Sequence, residues 1–195
     1  SQYWYNGFLG LFSGAAAIQA VVYSTTNKDD SRADSRLKYD SGVGVITSGL
    51  GAIDLLINPM KTHHYAEELK QLPSMTSDEK AAKLMSAETM LKSAASREKI
   101  AKAWHTHLGA FIVNAAAGYF IATDDDRPAG EGAGIQTFLL GMAVSEFQIY
   151  SAPTSSIEAW DDYQAGNYQA AKQTAETPRT QLYLTQNGIG LNYKF

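Results

Sequence analysis

The side chains in this chain equipped for chemistry are four histidines and a few well-placed acids. His63 and His64 are adjacent, and His105 and His107 are two apart. A helical pair of metal ligands is spaced by four so that both imidazoles share a face, and neither pair has that spacing. A metal site would have to combine the two pairs through tertiary contacts, with Asp54 or Glu146 as a further ligand. The simpler reading places these histidines in loops or at helix ends. Asp124, Asp125 and Asp126 cluster the oxygen ligands that hard cations prefer, but the same run suits a solvated turn. The sequence has no P-loop, dinucleotide fingerprint, nucleophile elbow or zinc-protease motif. It also has no cysteine, which removes thiolate chemistry and disulfides. No catalytic residue, metal or cofactor is assigned, and the expectation is a protein that is not an enzyme.

Four polar residues stand out because of where they sit. Asp54, Asn114, Glu146 and Gln148 interrupt stretches that are otherwise nearly free of charge: residues 7–24, 41–60, 103–123 and 132–152. Each stretch is close to the ~20 residues a helix needs to cross a bilayer's hydrocarbon core. An ionisable group at that depth is costly and normally faces the bundle interior. The four are therefore expected to form one internal hydrogen-bonded cluster, which either joins helices or lines an ion or proton path.

Bulk composition hides this pattern. The chain is 18% charged, as an ordinary water-soluble domain would be. Yet residues 1–27 contain no Asp, Glu, Lys or Arg, whereas residues 28–40 (KDDSRADSRLKYD) are dominated by them. Such segregation fits a chain that meets two solvents. The net charge of -4, with no basic stripe, leaves no footprint for nucleic acid.

Small residues recur at a spacing of four within the apolar stretches. Gly10 and Gly14 are flanked on the same face by Gly7 and Ala17; Gly51 follows Thr47, Gly118 follows Asn114, and Thr137, Gly141 and Ser145 continue the series. In lipid this spacing lets helix backbones approach closely, so Gly10, Gly14, Gly51, Gly118, Gly141 and Ser145 are expected at helix contacts or at an oligomer interface. The stretches pair into two helical hairpins with polar turns at residues 28–40 and 124–131. Tyr3, Trp4 and Tyr5 stand where aromatic rings commonly meet a membrane surface. Pro59 ends the second stretch at Asn58.

Between the hairpins, Thr76 and Glu79 form a capping-box pattern ahead of an Ala-, Lys- and Glu-rich helix over residues 77–102, with Leu84, Leu91 and Ala95 on one side. This helix either runs on into the third apolar stretch or bends near residues 105–109. Residues 157–172 read as a helix interrupted near Gly166. Beyond Pro178 the pattern turns strand-like: a turn signal at Gln186, Asn187 and Gly188 is followed by alternating Ile189, Leu191, Tyr193 and Phe195. Residues 1–177 are thus a helical membrane domain and residues 178–195 a strand-like tail.

That ending resembles the C-terminal signature of Gram-negative outer-membrane proteins, carried here by Gly190, Tyr193 and Phe195. The resemblance implies an outer-membrane location and a tail that pairs with, or is recognised by, another envelope protein. A barrel of eight strands is the alternative, but it needs repeated alternating segments of about ten residues that most of this chain lacks. A second run, residues 141–163 with Glu146, Gln148, Ile149, Pro153 and Trp160, resembles uncharacterised helical cell-envelope proteins of Gram-negative bacteria; it implies a helical bundle and no activity. Loop charge would put both termini in the cytoplasm if the protein lay in an inner membrane. The terminal signature carries more weight and favours the outer membrane. A start at Ser1 fits removal of a signal peptide.

The sequence thus predicts a mainly α fold: a membrane bundle of two hydrophobic hairpins, one long protruding helix and a short β-strand or hairpin tail. Membrane lipid surrounds it, and it acts structurally by self-associating into a homo-oligomer or ring. The alternatives are a channel or transport accessory subunit using Asp54 and Glu146, and a water-soluble helical adaptor.

Overall fold

Ser31 and Thr76 start two of the longest helices by the same means. In the computed structural model, which describes residues 2–60, 62–127, 132–167, 180–185 and 188–193, Ser31 Oγ accepts from the Asp34 amide at 3.1 Å. Thr76 Oγ1 accepts from the Glu79 amide, and Glu79 Oε2 returns the bond to the Thr76 amide at 2.9 Å, completing the capping box. The helices are α1 (Gln2–Thr25), α2 (Arg32–Ile57), α3 (Thr62–Gln71), α4 (Ser77–Ala101), α5 (Trp104–Ala122), α6 (Ala133–Tyr150) and α7 (Ser155–Gln164). Strands β1 (Thr180–Thr185) and β2 (Gly188–Tyr193) pair antiparallel, with Thr180 opposite Tyr193.

The expected boundaries need three corrections. Most of the charged run at residues 28–40 is helix rather than turn, because the Ser31 cap starts α2 at Arg32 and places Asp34 favourably in its first turn. The long helix does not continue into the third apolar stretch. It stops at Ala101, Ala103 takes an extended ψ of 152°, and Thr106 Oγ1 donates back to the Ile100 carbonyl at 2.7 Å. Helix α3, bracketed by Pro59 and Pro73, was not anticipated at all. On α4, Ala95 is buried while Leu84 stays exposed, so the predicted packing side is used only at its C-terminal end, against α7.

Helices α1 and α2 form one hairpin and α5 and α6 another, joined where α2 meets α5. Their directions alternate. At one end, Arg127 pairs with Asp40 and Ser35 donates to Asp126, which ties the connection after α5 to the N-terminal part of α2. At the other end, Trp4 Nε1 donates to Ser151 Oγ at 3.0 Å, and Met60, Ala101 and Ala152 form a small core against Trp4 and Tyr5. Helices α3, α4 and α7 belong to this second end.

Among the described residues, α1 and α2 are the helices long and apolar enough to cross a membrane; α5 and α6, which carry His105, His107, Glu146 and Gln148, do not reach that mark. The expectation of four equivalent spans therefore reduces to two. A buried core helix of a water-soluble protein passes the same test, but only 6% of the apolar window of α1 and 17% of that of α2 is buried.

Candidate functional site

Glycines set the contacts inside each hairpin. A Cβ placed on Gly118 would lie 2.7 Å from the Gly134 carbonyl oxygen, so α5 and α6 touch backbone to backbone. One turn away, Asn114 occupies the space that a Cβ on Gly141 would need, and its Nδ2 donates to Ser145 Oγ at 3.0 Å and to the Ala110 carbonyl at 2.8 Å. Gly51 of α2 lies under the Phe12 ring of α1, 2.9 Å from where its Cβ would be, and Gly42 lies under Tyr23. Gly51, Gly118, Gly141 and Ser145 are therefore spent on contacts within the chain. Gly134 was missed, although it shares a helix face with Gly141 seven residues on.

Gly10 and Gly14 differ from the others. Both are exposed, and a Cβ on either, or on Gly7, would meet nothing within 4 Å. The small-residue face of α1 is thus unused by the chain's own packing.

The expected polar cluster does not form. Glu146 accepts from or shares a proton with His107 Nδ1 at 2.8 Å, Asp54 accepts from Asn58 Nδ2 at 2.9 Å, and Asn114 reaches Ser145. Gln148 offers its backbone carbonyl to Ser151. These are separate contacts, and Asp54, Glu146 and His107 all lie within five residues of a helix end, whereas Asn114 is central. Among the acids at the opposite end, Asp124 faces Arg127 and Asp126 accepts from Ser35. His64 is exposed, and the side chain of His63 lies outside the described residues.

The end of α4 holds contacts that sequence reasoning missed. Arg97 donates through Nε and Nη2 to the Asn58 carbonyl at 2.9 and 2.7 Å, satisfying an acceptor where α2 ends. Burial lowers its pKa, against the opposing pull of Asp54. Glu98, 1% exposed, accepts from the Ser156 and Ile157 amides and the Ser156 hydroxyl and so caps α7. Lys102 Nζ donates to the Tyr150 carbonyl at 2.7 Å, where α6 ends. One signal was available: Arg97, Glu98, Lys99 and Lys102 crowd charge around the end of a capped helix.

Exposed aromatic residues form two tiers. Tyr3, Trp104 and Tyr150 mark the end carrying α3, α4 and α7; Tyr23, Tyr39 and Tyr119 mark the end with the short connections. At 1.5 Å per helical residue the tiers are about 30 Å apart along α1 and about 22 Å along α5. Between them the large exposed side chains are aliphatic or Phe, among them Ile18, Ile46, Ile112 and Leu140, with Asn6, Ser13 and Asp54 as exposed polar residues in the same span.

No protein-family model, curated protein or solved structure matches this chain. In the tail, Gly190 pairs with Tyr183 and Tyr193 with Thr180, while Phe195 lies outside the described residues.

Proposed function

We propose that this chain is a membrane-embedded assembly protein of the bacterial cell envelope, with copies joined through the Gly10 and Gly14 face of α1. The observation that carries this reading is the open glycine face, set within a belt of exposed apolar side chains bounded by two aromatic tiers. In water such a belt would be an aggregation liability; in lipid it is an ordinary surface, and the glycine face becomes the place where another helix approaches closest. Along α1 the tiers are separated by a distance near the ~30 Å of a hydrocarbon core; α5 and α6, with a shorter separation, are proposed to lie in the membrane as the packing partners of α1 and α2. Helix α1 packs along α2, which joins the two apolar helices into one unit.

The resemblance of Gly190, Tyr193 and Phe195 to an outer-membrane signature favours the outer membrane and a tail that adds to another envelope protein's sheet edge. The channel reading draws less support, since Asp54 and Glu146 have separate partners near helix ends.

Cross-linking tests the assembly. The chain has no native cysteine, so Gly14→Cys is a clean probe. In native membranes under mild oxidation it is expected to give a disulfide-linked dimer. A chain that stays monomeric, alongside an equally expressed Ile112→Cys control on α5, would contradict self-association through α1.

A further inference from the structure

Helices α1 and α6 meet at Trp4 with Ser151 and at Phe8 with Phe147, whose rings are 6.0 Å apart. Beside these contacts lies an open cleft of about 580 Å³ walled by Gly7, Phe8 and Leu11 of α1 and by Ala143, Val144 and Phe147 of α6. Its size is that of a small-molecule site, and its side-chain walls are apolar. A cation lies beyond the end of the cleft walled by Trp4 and Phe147, past the Ser151 that bonds to Trp4. Lys102 follows Ala101, which belongs to the core packed against Trp4 and Tyr5, and its ammonium bonds to the Tyr150 carbonyl next to Ser151. An ammonium has three donors, so two stay available beyond that carbonyl.

We infer that this cleft holds one acyl chain of an anionic glycerophospholipid whose phosphate meets Lys102. Charge complementarity selects this occupant over a second protein copy: a bound helix would use the apolar walls equally well but would leave the ammonium without an anion. The slot and the cation follow the layout of a phospholipid at the membrane surface, with its chain along the apolar walls and its headgroup at the level of Trp4 and Tyr150. This inference rests on the membrane reading above.

Native mass spectrometry of the detergent-solubilised protein, titrated with phosphatidylglycerol or phosphatidylcholine, tests it. Phosphatidylglycerol is expected to bind about fivefold more tightly, the effect of one lysine near an anionic lipid. Lys102→Gln should remove that preference and Lys102→Arg should keep it, while Ala143→Trp should fill the cleft and abolish binding of both lipids. Equal binding of the two lipids to the unaltered protein, a preference that survives Lys102→Gln, or lipid binding that survives Ala143→Trp would each overturn the inference while leaving the membrane reading standing. Dimers that Ala143→Trp dissociates would assign the cleft to a second copy and overturn it too. A protein that stays monodisperse without detergent would instead overturn the membrane reading itself.

Discussion

Glu98 and Ser156 are joined by two hydrogen bonds, the Ser156 amide to Oε2 at 2.7 Å and the Ser156 hydroxyl to Oε1 at 2.8 Å, with the Ile157 amide adding a third bond to the same carboxylate. A single acid on α4 thereby supplies the acceptors that the first turn of α7 lacks. Thr154, at the usual capping position, makes no capping bond with its side chain. Glu98→Ala would leave two amides without an acceptor, at a cost of about 1–3 kcal/mol each. Hydrogen exchange at Ser156 and Ile157 should accelerate by about tenfold or more. Unchanged exchange would show that α7 does not depend on this carboxylate.

Arg97 makes a two-pronged contact with the Asn58 carbonyl that a lysine cannot reproduce, because the ammonium lacks the planar fork. Arg97→Lys should loosen the end of α2 by about 1 kcal/mol, seen as faster exchange of the Asn58 amide, which bonds to the Asp54 carbonyl. Equal protection in the two proteins would remove Arg97 from the account of how α4 is anchored.

The two kinds of glycine should respond in opposite ways to a larger side chain. Gly118→Leu forces α5 away from the Gly134 backbone and should destabilise that hairpin by about 1–3 kcal/mol or more, measured by denaturant unfolding in mild detergent. Gly14→Leu meets open space within its own chain, so the monomer should unfold as before while the oligomer weakens. If Gly14→Leu destabilised the monomer as much as Gly118→Leu, the α1 face would have to be an internal contact.

The capping box on α4 makes a pH-dependent prediction. Bonds from the Thr76 and Met75 backbone amides hold the Glu79 pKa below its ordinary value of 4.5. A carboxylate with a depressed folded-state pKa stabilises the fold above its unfolded value, and that contribution disappears as pH falls through the lower, folded value. The first turn of α4 should therefore stay intact at neutral pH and fray in acid. Carbon NMR titration should place the Glu79 midpoint below the ordinary glutamate value, and Thr76→Ala should raise it; a midpoint insensitive to Thr76→Ala would contradict the assigned cause.

Local signals were legible where chemistry is local. The Thr76 and Glu79 box starts α4 as read, Pro59 closes α2 at Ile57, and Gly166, with φ of 76°, ends α7 where the interruption was expected. Glycine spacing identified helix faces but could not assign partners, since spacing describes one helix and a contact needs two. Gly118 met Gly134 within the chain, while Gly10 and Gly14 met nothing. Likewise, Asp54, Asn114 and Glu146 looked alike as polar residues in apolar segments, yet each found its own neighbour because depth along the helix, rather than polarity, decides who is within reach. The cap that Glu98 places on α7 spans 58 positions, so the charges at the end of α4 could mark a helix end but not name its partner.

The claim on which the account depends is that lipid covers the belt between the aromatic tiers, and cysteine labelling tests it directly. Ile46, Ile112 and Leu140 are 65%, 57% and 69% exposed, so the chain leaves most of each side chain uncovered, and Met75, 92% exposed, lies outside the belt. Single cysteines at these four sites, in a chain with none of its own, should behave differently toward a water-borne maleimide in intact membranes opened to both faces. The account predicts fast labelling at position 75 and almost none at 46, 112 and 140 until detergent and denaturant are added. Fast labelling at all four sites in untreated membranes would contradict it.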